Sequence, residues 1–383
     1  MEQSKKILIT GGAGFIGSHL ARHLESTGAS FRILDSLSPQ IHGAIPQNLD
    51  WLKDGGFEFI RGSVTDQVTL SSALDGVSDV VHLASETGTG QSMYEIARYN
   101  DTNIMGTANL LEVIANSKYS KVKRVVLASS RSVYGEGAYV CPKCGASVGR
   151  VFPKARSTAR LVAHLWEPAC PRCNNFLVQA PSQEEDPVRP SSIYAATKYA
   201  QEDLVRISCE SLGIDYSILR LQNVYGEGQS LRNPYTGILS IFSTRIRRGL
   251  DLPIFEDGLE SRDFVHVEDV VLAMHACLES REKISSVINV GSGVSTSVID
   301  VARQLVVSLG GNSPLRITSE FRLGDIRHNV ADISQLKQLM PVGPKISLAE
   351  GLNRFAAWVK TQPLPEDFLD RANDELRKRN LMA

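Results

Sequence analysis

Apolar residues along the first third of the chain follow two alternating rhythms. Short β-branched runs at Lys6–Thr10, Phe31–Asp35, Glu58–Arg61, Asp79–Leu83 and Arg124–Ser129 have the length and bias of buried strands. Longer stretches between them carry apolar residues at helical spacing; within Ile104–Ser117, for instance, Leu110, Leu111, Val113 and Ile114 make one stripe. Such alternation predicts an α/β fold built on a doubly wound parallel sheet. The rhythm stops at about Tyr139. From there to about Pro181 the text is irregular and rich in Pro, Arg and Cys, which reads as an insertion. Alternation resumes over Tyr194–Leu212, Asp215–Leu221, Ile238–Arg248 and Val265–Glu279, with a shorter strand at Val287–Val290.

Composition narrows the class. At 383 residues the chain suffices for two to three units around a large core, so a buried site is feasible. With 41 basic against 42 acidic residues and a net charge of -1, nothing electrostatic calls for a nucleic-acid or membrane partner. No apolar run approaches the roughly 18 residues of a membrane helix. Ile7–Thr10, after Met1–Lys6, is too short for a signal-peptide core, so the expected location is the cytoplasm. Six cysteines in a chain of this length do not form a disulfide scaffold.

The first strand runs into Gly11-Gly12-Ala13-Gly14-Phe15-Ile16-Gly17, which opens a predicted helix. Gly11 suits the tight turn, Gly14 lets backbone N–H groups approach a pyrophosphate, and Gly17 allows helix and strand to pack closely. A plain glycine-rich turn is the alternative for such a triplet alone. Asp35, at the end of the second strand, strengthens the cofactor reading: a carboxylate there accepts bonds from the adenosine ribose and repels a 2′-phosphate, which favours NAD over NADP.

Tyr194 and Lys198 stand four residues apart on one face of a predicted helix. A nearby ammonium and the positive nicotinamide ring favour phenolate over phenol, so the pair predicts a tyrosine base of lowered pKa. Ser191 or Ser192 is placed to cap that helix, whose dipole acts in the same sense. Taken alone, the spacing also suits an amphipathic surface helix. The strand ending at Ser129-Ser130 brings a hydroxyl to the edge where doubly wound sheets hold their sites.

Together, the glycine turn, His82-Leu83-Ala84, Asn103, Ser129-Ser130-x-x-Val133-Tyr134-Gly135 and Tyr194-x-x-x-Lys198 resemble the extended short-chain dehydrogenases that act on nucleotide sugars. The resemblance covers almost the whole chain outside the insertion. It implies a Rossmann-type region over residues 1–138 and 182–222, and a smaller, mainly nucleotide-sugar-binding part over 223–383 with some segments returning to the main sheet. Ser130, Tyr194 and Lys198 become the catalytic set, with Ser130 on the sugar hydroxyl and Lys198 on the nicotinamide ribose. NAD contacts are expected from Gly11, Gly14, Phe15, Ile16, Gly17, Asp35, Ser63, Val64, Leu83 and Ala84 besides Tyr194 and Lys198. Ser130, Ser132, Asn223, Arg262, Arg322 and Asp325 are the expected substrate contacts, arginine being suited to phosphate by its planar fork. A homodimer is the expected assembly.

A 4,6-dehydratase of this family would carry an Asp-Glu pair directly after the hydroxyl residue. Arg131 and Ser132 stand there instead, so the proton shuttle for eliminating water is missing. A 4-epimerase needs only the tyrosine, the hydroxyl and NAD, passing through a transient 4-keto sugar. Glu86–Glu95, Val133–Tyr139 and the cysteine pairs resemble the dTDP-L-rhamnose 4-epimerase group, which implies dTDP-L-rhamnose or a related deoxyhexose; UDP-hexose and UDP-uronate epimerases are the alternatives.

Cys141-Pro142-Lys143-Cys144 and Cys170-Pro171-Arg172-Cys173 are two C-x-x-C knuckles. Four thiolates match tetrahedral zinc and leave no position for water, which predicts a structural zinc ribbon over 139–181; disulfides or redox pairs are the alternatives. Cys209 and Cys277 read as core thiols, and His82, His266 and His275 as packing residues. A ribbon bearing Lys143, Arg150, Lys154, Arg156, Arg160 and Arg172 also admits a nucleic-acid binder, and the loss of chemistry would leave a silent NAD-binding protein. The complete hydride-transfer set favours the enzyme.

Overall fold

Seven strands pair entirely in parallel: β1 (Lys6–Thr10), β2 (Ser30–Asp35), β3 (Glu58–Arg61), β4 (Asp79–His82), β5 (Arg124–Ser130), β6 (Asp215–Leu221) and β7 (Ser286–Val290), in the order β7-β6-β5-β4-β1-β2-β3. The computed structural model describes residues 5–43, 49–231, 237–341, 343–367 and 369–382. Met1–Ser4, part of the segment on which the reading of the N-terminus rests, lie outside the described residues. Among the described residues no helix is long and apolar enough to cross a membrane.

The two-residue period of the strands explains the layers. Ile7, Ile9, Val81, Val126 and Leu219 point to one face, where they pack on Leu20 and Leu24 of α1 (Phe15–Ser26) and on Val270 and Met274 of α4 (Val267–Glu279). Leu8, Val80, Val125, Leu127 and Ile218 point to the other, against Leu110 and Ile114 of α2 (Gly106–Asn116) and Val205 and Cys209 of α3 (Ile193–Leu212). Full burial of each such side chain contributes about 1.5–3 kcal/mol. The order reverses between β1 and β4, which opens a crevice at the C-terminal ends of the strands.

Two helices start later than the sequence pattern predicts. A wide π-helical turn at Asn100–Met105 precedes α2. The strand Ser261–His266 runs directly into α4, which the His266 ring caps by accepting from Glu268 N. That strand pairs with Asn223–Tyr225 and Ser295–Ser297 beside a separate core of Leu239, Phe242, Leu305 and Phe355. α4 and β7 return to the main sheet.

Residues after Ala138 form a small sheet, Tyr139–Val140 pairing antiparallel with both Arg150–Val151 and Val178–Gln179. Tyr139, Cys141, Val151, Cys170 and Leu177 fill its core. The chain leaves where it entered, Ala180 N bonding Ala138 O at 2.8 Å.

Candidate active site

Gly11 takes φ +70, and a Cβ on it would stand 2.7 Å from the backbone N of Ala84. On Gly17 a Cβ would meet Gly11 O at 2.5 Å, so helix and turn touch backbone to backbone. α1 begins without a side-chain cap and without an acid in its first turn, leaving its N–H groups and positive end toward the crevice. Asp35 is buried; its carboxylate accepts from Ala13 N at 3.0 Å and Leu37 N at 2.8 Å. It therefore ties the glycine turn to the end of β2, a part not legible in the sequence, and each oxygen retains a lone pair. Leu83 N and Ala84 N bond Thr10 O and Thr10 Oγ1, at 3.0 and 3.3 Å. Ser63 and Val64 follow β3 at the same edge, with Val64 buried. These residues fit a dinucleotide: close backbone, a free helix N-terminus and a carboxylate at the next strand end.

The opposite wall comes from β5 and α3. Ser192, of the two candidate caps, accepts from Ala195 N at 3.1 Å. Ser129 bonds Glu202, which is paired with Arg220, so that hydroxyl is taken up by structure. Ser130 Oγ instead accepts from Ser132 Oγ at 2.9 Å and faces the Tyr194 phenol. Tyr99 stacks edge-on to the Tyr194 ring at 6.5 Å, and Tyr194 N donates to Ser92 Oγ at 3.0 Å. Asn103 Nδ2 donates to Thr197 Oγ1 at 2.9 Å while its Oδ1 accepts from Glu86 N at 2.7 Å, joining the loop after β4 to α3.

One expectation needs correction. The four-residue spacing predicts that the Lys198 ammonium lowers the Tyr194 pKa. Burial in fact pushes the phenol above its usual range, and the opposing influences are the bond with Ser130 and the charge of Arg131. Lys198 Nζ points away from that role, donating to Ala128 O at 2.9 Å. Burial draws this ammonium down to about 7, against the pull of Glu202.

Arg262 is buried, and its guanidinium donates to Asp325 Oδ1 at 3.2 Å, Ile326 O at 2.8 Å, Arg327 O at 3.0 Å and Ser261 O at 2.8 Å. Arg131 Nε donates to Asn223 Oδ1 at 2.9 Å. Arg322 lies over the Phe255 ring and bonds Asn373. Desolvation of Asp325 opposes its charge, but Arg262, Arg322, Arg156 and Arg131 outweigh it and hold the carboxyl low. Arg156 is neutralised by Glu136 and Glu256, so Arg131, Arg262 and Arg322 remain as the cations around Asp325, with Arg131 acting on Tyr194, a set suited to an anionic ligand. Arg131 and Arg156 were missing from the sequence-derived set: the first reads only as an absent acid, the second as one basic residue of a ribbon.

The glycine turn, the tyrosine–lysine helix and the strands between them match a family model, NAD dependent epimerase/dehydratase, over residues 7–153 and 173–291. The chain belongs to the NAD dependent epimerase/dehydratase family. Within this family it is 37% identical over 371 residues to a dTDP-L-rhamnose 4-epimerase of Burkholderia thailandensis, covering 96% of this chain and 97% of that one. A UDP-glucuronic acid 4-epimerase from Bacillus cereus, solved with UDP-glucuronic acid and NAD, superposes with a TM-score of 0.75 at 26% identity, over 93% of this chain and 99% of that one. A Thermotoga maritima UDP-glucose 4-epimerase with UDP-glucose gives 0.73 at 28%, covering 93% and 98%. The two stretches matched by the epimerase/dehydratase model leave residues 154–172 outside it.

The four cysteines of the insertion also come together. Their sulfur atoms all lie within 4.8 Å of one another, and Cys141 and Cys173 are 3.5 Å apart. Thiolates on a tetrahedral zinc stand roughly 3.8 Å apart, given bonds of about 2.3 Å. Both knuckles close alike: Gly145 N returns to Cys141 O and Asn174 N to Cys170 O, each at 2.9 Å, with Gly145 and Asn174 at positive φ. Backbone N–H groups of Cys173 and Arg172 draw the Cys170 thiol down to about 7, toward the thiolate a metal binds.

Proposed function

We propose that the protein inverts a nucleotide-diphosphate sugar at C4 through a transient 4-keto sugar, with dTDP-L-rhamnose or a related deoxyhexose as substrate. The observation that carries this reading is the Tyr194 phenol beside Ser130, with Arg131 and Ser132 at the positions where a dehydratase of this family needs carboxylates. The relative of 37% identity supports the choice of sugar.

Tyr194 takes the proton from the 4-hydroxyl, while Ser130 hydrogen-bonds the same oxygen and keeps it aimed at the phenol. Arg131 favours the phenolate that this step requires. NAD, when bound, would supply a hydride acceptor at C4 that also serves as the donor, with no net oxidation of the sugar. Gly11, Gly14, Phe15, Ile16 and Gly17 would hold its pyrophosphate, Asp35 its adenosine ribose and Lys198 its nicotinamide ribose, with Ser63, Val64, Leu83 and Ala84 lining the crevice. Asn223, Arg262 and Arg322 bind the nucleotide diphosphate, with Asp325 orienting Arg262. The sugar is freed to turn over only if its grip rests on the diphosphate, and Asn223, Arg262 and Arg322 provide that. Tyr194 returns the proton to the 4-oxygen when the keto sugar is reduced.

In this reading one structural zinc is held by Cys141, Cys144, Cys170 and Cys173, supported by the converged sulfurs. The protein works in the cytoplasm, where thiols persist. A homodimer is favoured by the exposed apolar side chains of Met105 before α2 and Ile207 and Leu212 on α3. A nucleic-acid role is disfavoured, because Arg150 pairs with Asp186, Arg156 is buried among carboxylates, and Arg160 bonds Glu167 O. Incubation with dTDP-L-rhamnose, UDP-glucose and UDP-glucuronate, followed by NMR at the sugar 4-position, tests the function. Inversion of none of them overturns the reading.

A further inference from the structure

The segment outside the family model carries Arg156, whose side chain is 3% exposed although it belongs to an irregular stretch. Its guanidinium donates to Glu136 Oε1 at 3.1 Å, to Glu256 Oε2 and Oε1 at 2.9 and 2.8 Å, and to the main-chain O of Asp325 at 3.1 Å. Glu136 ends the turn that begins at Ser130, Glu256 belongs to the C-terminal part, and Asp325 stands by Arg262. One side chain of the insertion thus joins three segments distant in sequence.

Their arrangement has a direction. Arg262 is held mainly by acceptors of the 325–327 segment: Asp325 Oδ1, Ile326 O and Arg327 O. That segment is itself fixed at both ends by Arg156 and its partner, since Arg156 bonds Asp325 O and Glu136 Oε2 accepts from Arg327 N at 2.9 Å. The Arg327 side chain, 1% exposed, closes the circle on Glu256, Asp257 and Glu167, the last from the insertion. A buried fork with acceptors on Glu136, Glu256 and Asp325 fixes position as well as charge, which a lysine cannot reproduce.

We propose that Arg156 is a positioning residue for the nucleotide-diphosphate subsite, through which the insertion sets the 325–327 segment and so aims the Arg262 Nε–H, the donor that this segment and Ser261 O do not take up, at phosphate. The inference rests on the function proposed above, in which Arg262 binds the diphosphate. It makes the insertion a support of the substrate site, acting through the 325–327 segment.

The test is calorimetric binding of dTDP and of UDP to NAD-loaded wild type, Arg156→Met and Arg156→Lys, with bound NAD and melting temperature measured alongside, and KM and kcat taken on whichever sugar turns over. The expected result for Arg156→Met is nucleoside-diphosphate binding weakened about tenfold or more, the scale of one charge-assisted contact. KM rises by a similar factor, kcat changes less, and NAD content is kept. Arg156→Lys shifts in the same direction. Should Arg156→Met not fold, because Glu136 loses its buried ionic partner and Glu256 keeps only Arg327, the lysine variant carries the test. Unchanged dTDP and UDP binding in a folded variant overturns the inference. A wild type that binds neither nucleotide overturns the proposed function instead.

Discussion

Replacing Tyr194 by Phe removes one oxygen and little else. The aromatic ring keeps its edge-on contact with Tyr99 at 6.5 Å, and the main-chain bond from Tyr194 N to Ser92 Oγ does not involve the phenol. Ser192 still caps α3 through Ala195 N, so the helix retains its start. Ser130 and Ser132 remain bonded to each other at 2.9 Å, so the lost phenol strands no buried partner. Folding stability should therefore change by no more than about 1.5 kcal/mol, the scale of the one hydrogen bond lost with Ser130. Catalysis should suffer far more. A positioned acid–base group contributes about 10²–10⁴-fold, which at the lower limit is about 2.7 kcal/mol of barrier. The assay is turnover by NMR at the sugar 4-position, with bound NAD counted after denaturation and thermal unfolding as the control. Activity within tenfold of wild type, with NAD bound and the melting temperature unchanged, would refute the assignment of Tyr194 as the proton-transfer group.

Protein purified without chelator should contain about one zinc per chain by elemental analysis; Cys170→Ser with Cys173→Ser should lower activity and increase proteolysis between residues 139 and 181 while NAD stays bound, because so small a core does not hold together unaided. Turnover should proceed without NADH accumulating at 340 nm, and stoichiometric NADH would indicate a dehydrogenase. Cofactor-stripped protein should take up NAD at least about tenfold more tightly than NADP, since Asp35 repels a 2′-phosphate, and Asp35→Asn should narrow that gap in a fluorescence titration. Lys198, drawn from 10.5 to about 7 by burial, binds fewer protons folded than unfolded between those values; stability from this group accordingly rises as pH increases through that window and is lost as pH falls through 7. Denaturant midpoints of cofactor-free wild type should climb relative to Lys198→Met from pH 7 to 10, and parallel curves would contradict the shift.

Local periodicity determined much of this protein. β1 and β6 stand where their apolar runs stand, because a buried parallel strand must be apolar on both faces, and Ile7, Leu8 and Ile9 show this alternating assignment directly. The glycine turn was legible for a similar reason: its constraint is backbone clearance, which spacing alone records. The C-x-x-C pairs likewise carry their geometry locally, each knuckle closing through a bond four residues long. Tertiary structure decided what periodicity does not encode. Ser129 and Ser130 are equivalent in the sequence, and only the buried Glu202–Arg220 pair separates the structural hydroxyl from the one facing Tyr194. The Tyr194 phenol is bonded by Ser130 and its phenolate favoured by the charge of Arg131 rather than of Lys198, because the lysine stem ends at Ala128 O. Arg131, Arg156, Arg262 and Arg322 come from four distant segments and meet around Asp325. Their charges could be counted in the sequence, but their convergence required the folded chain, since Coulomb interactions depend on distance in space and not on separation along the backbone.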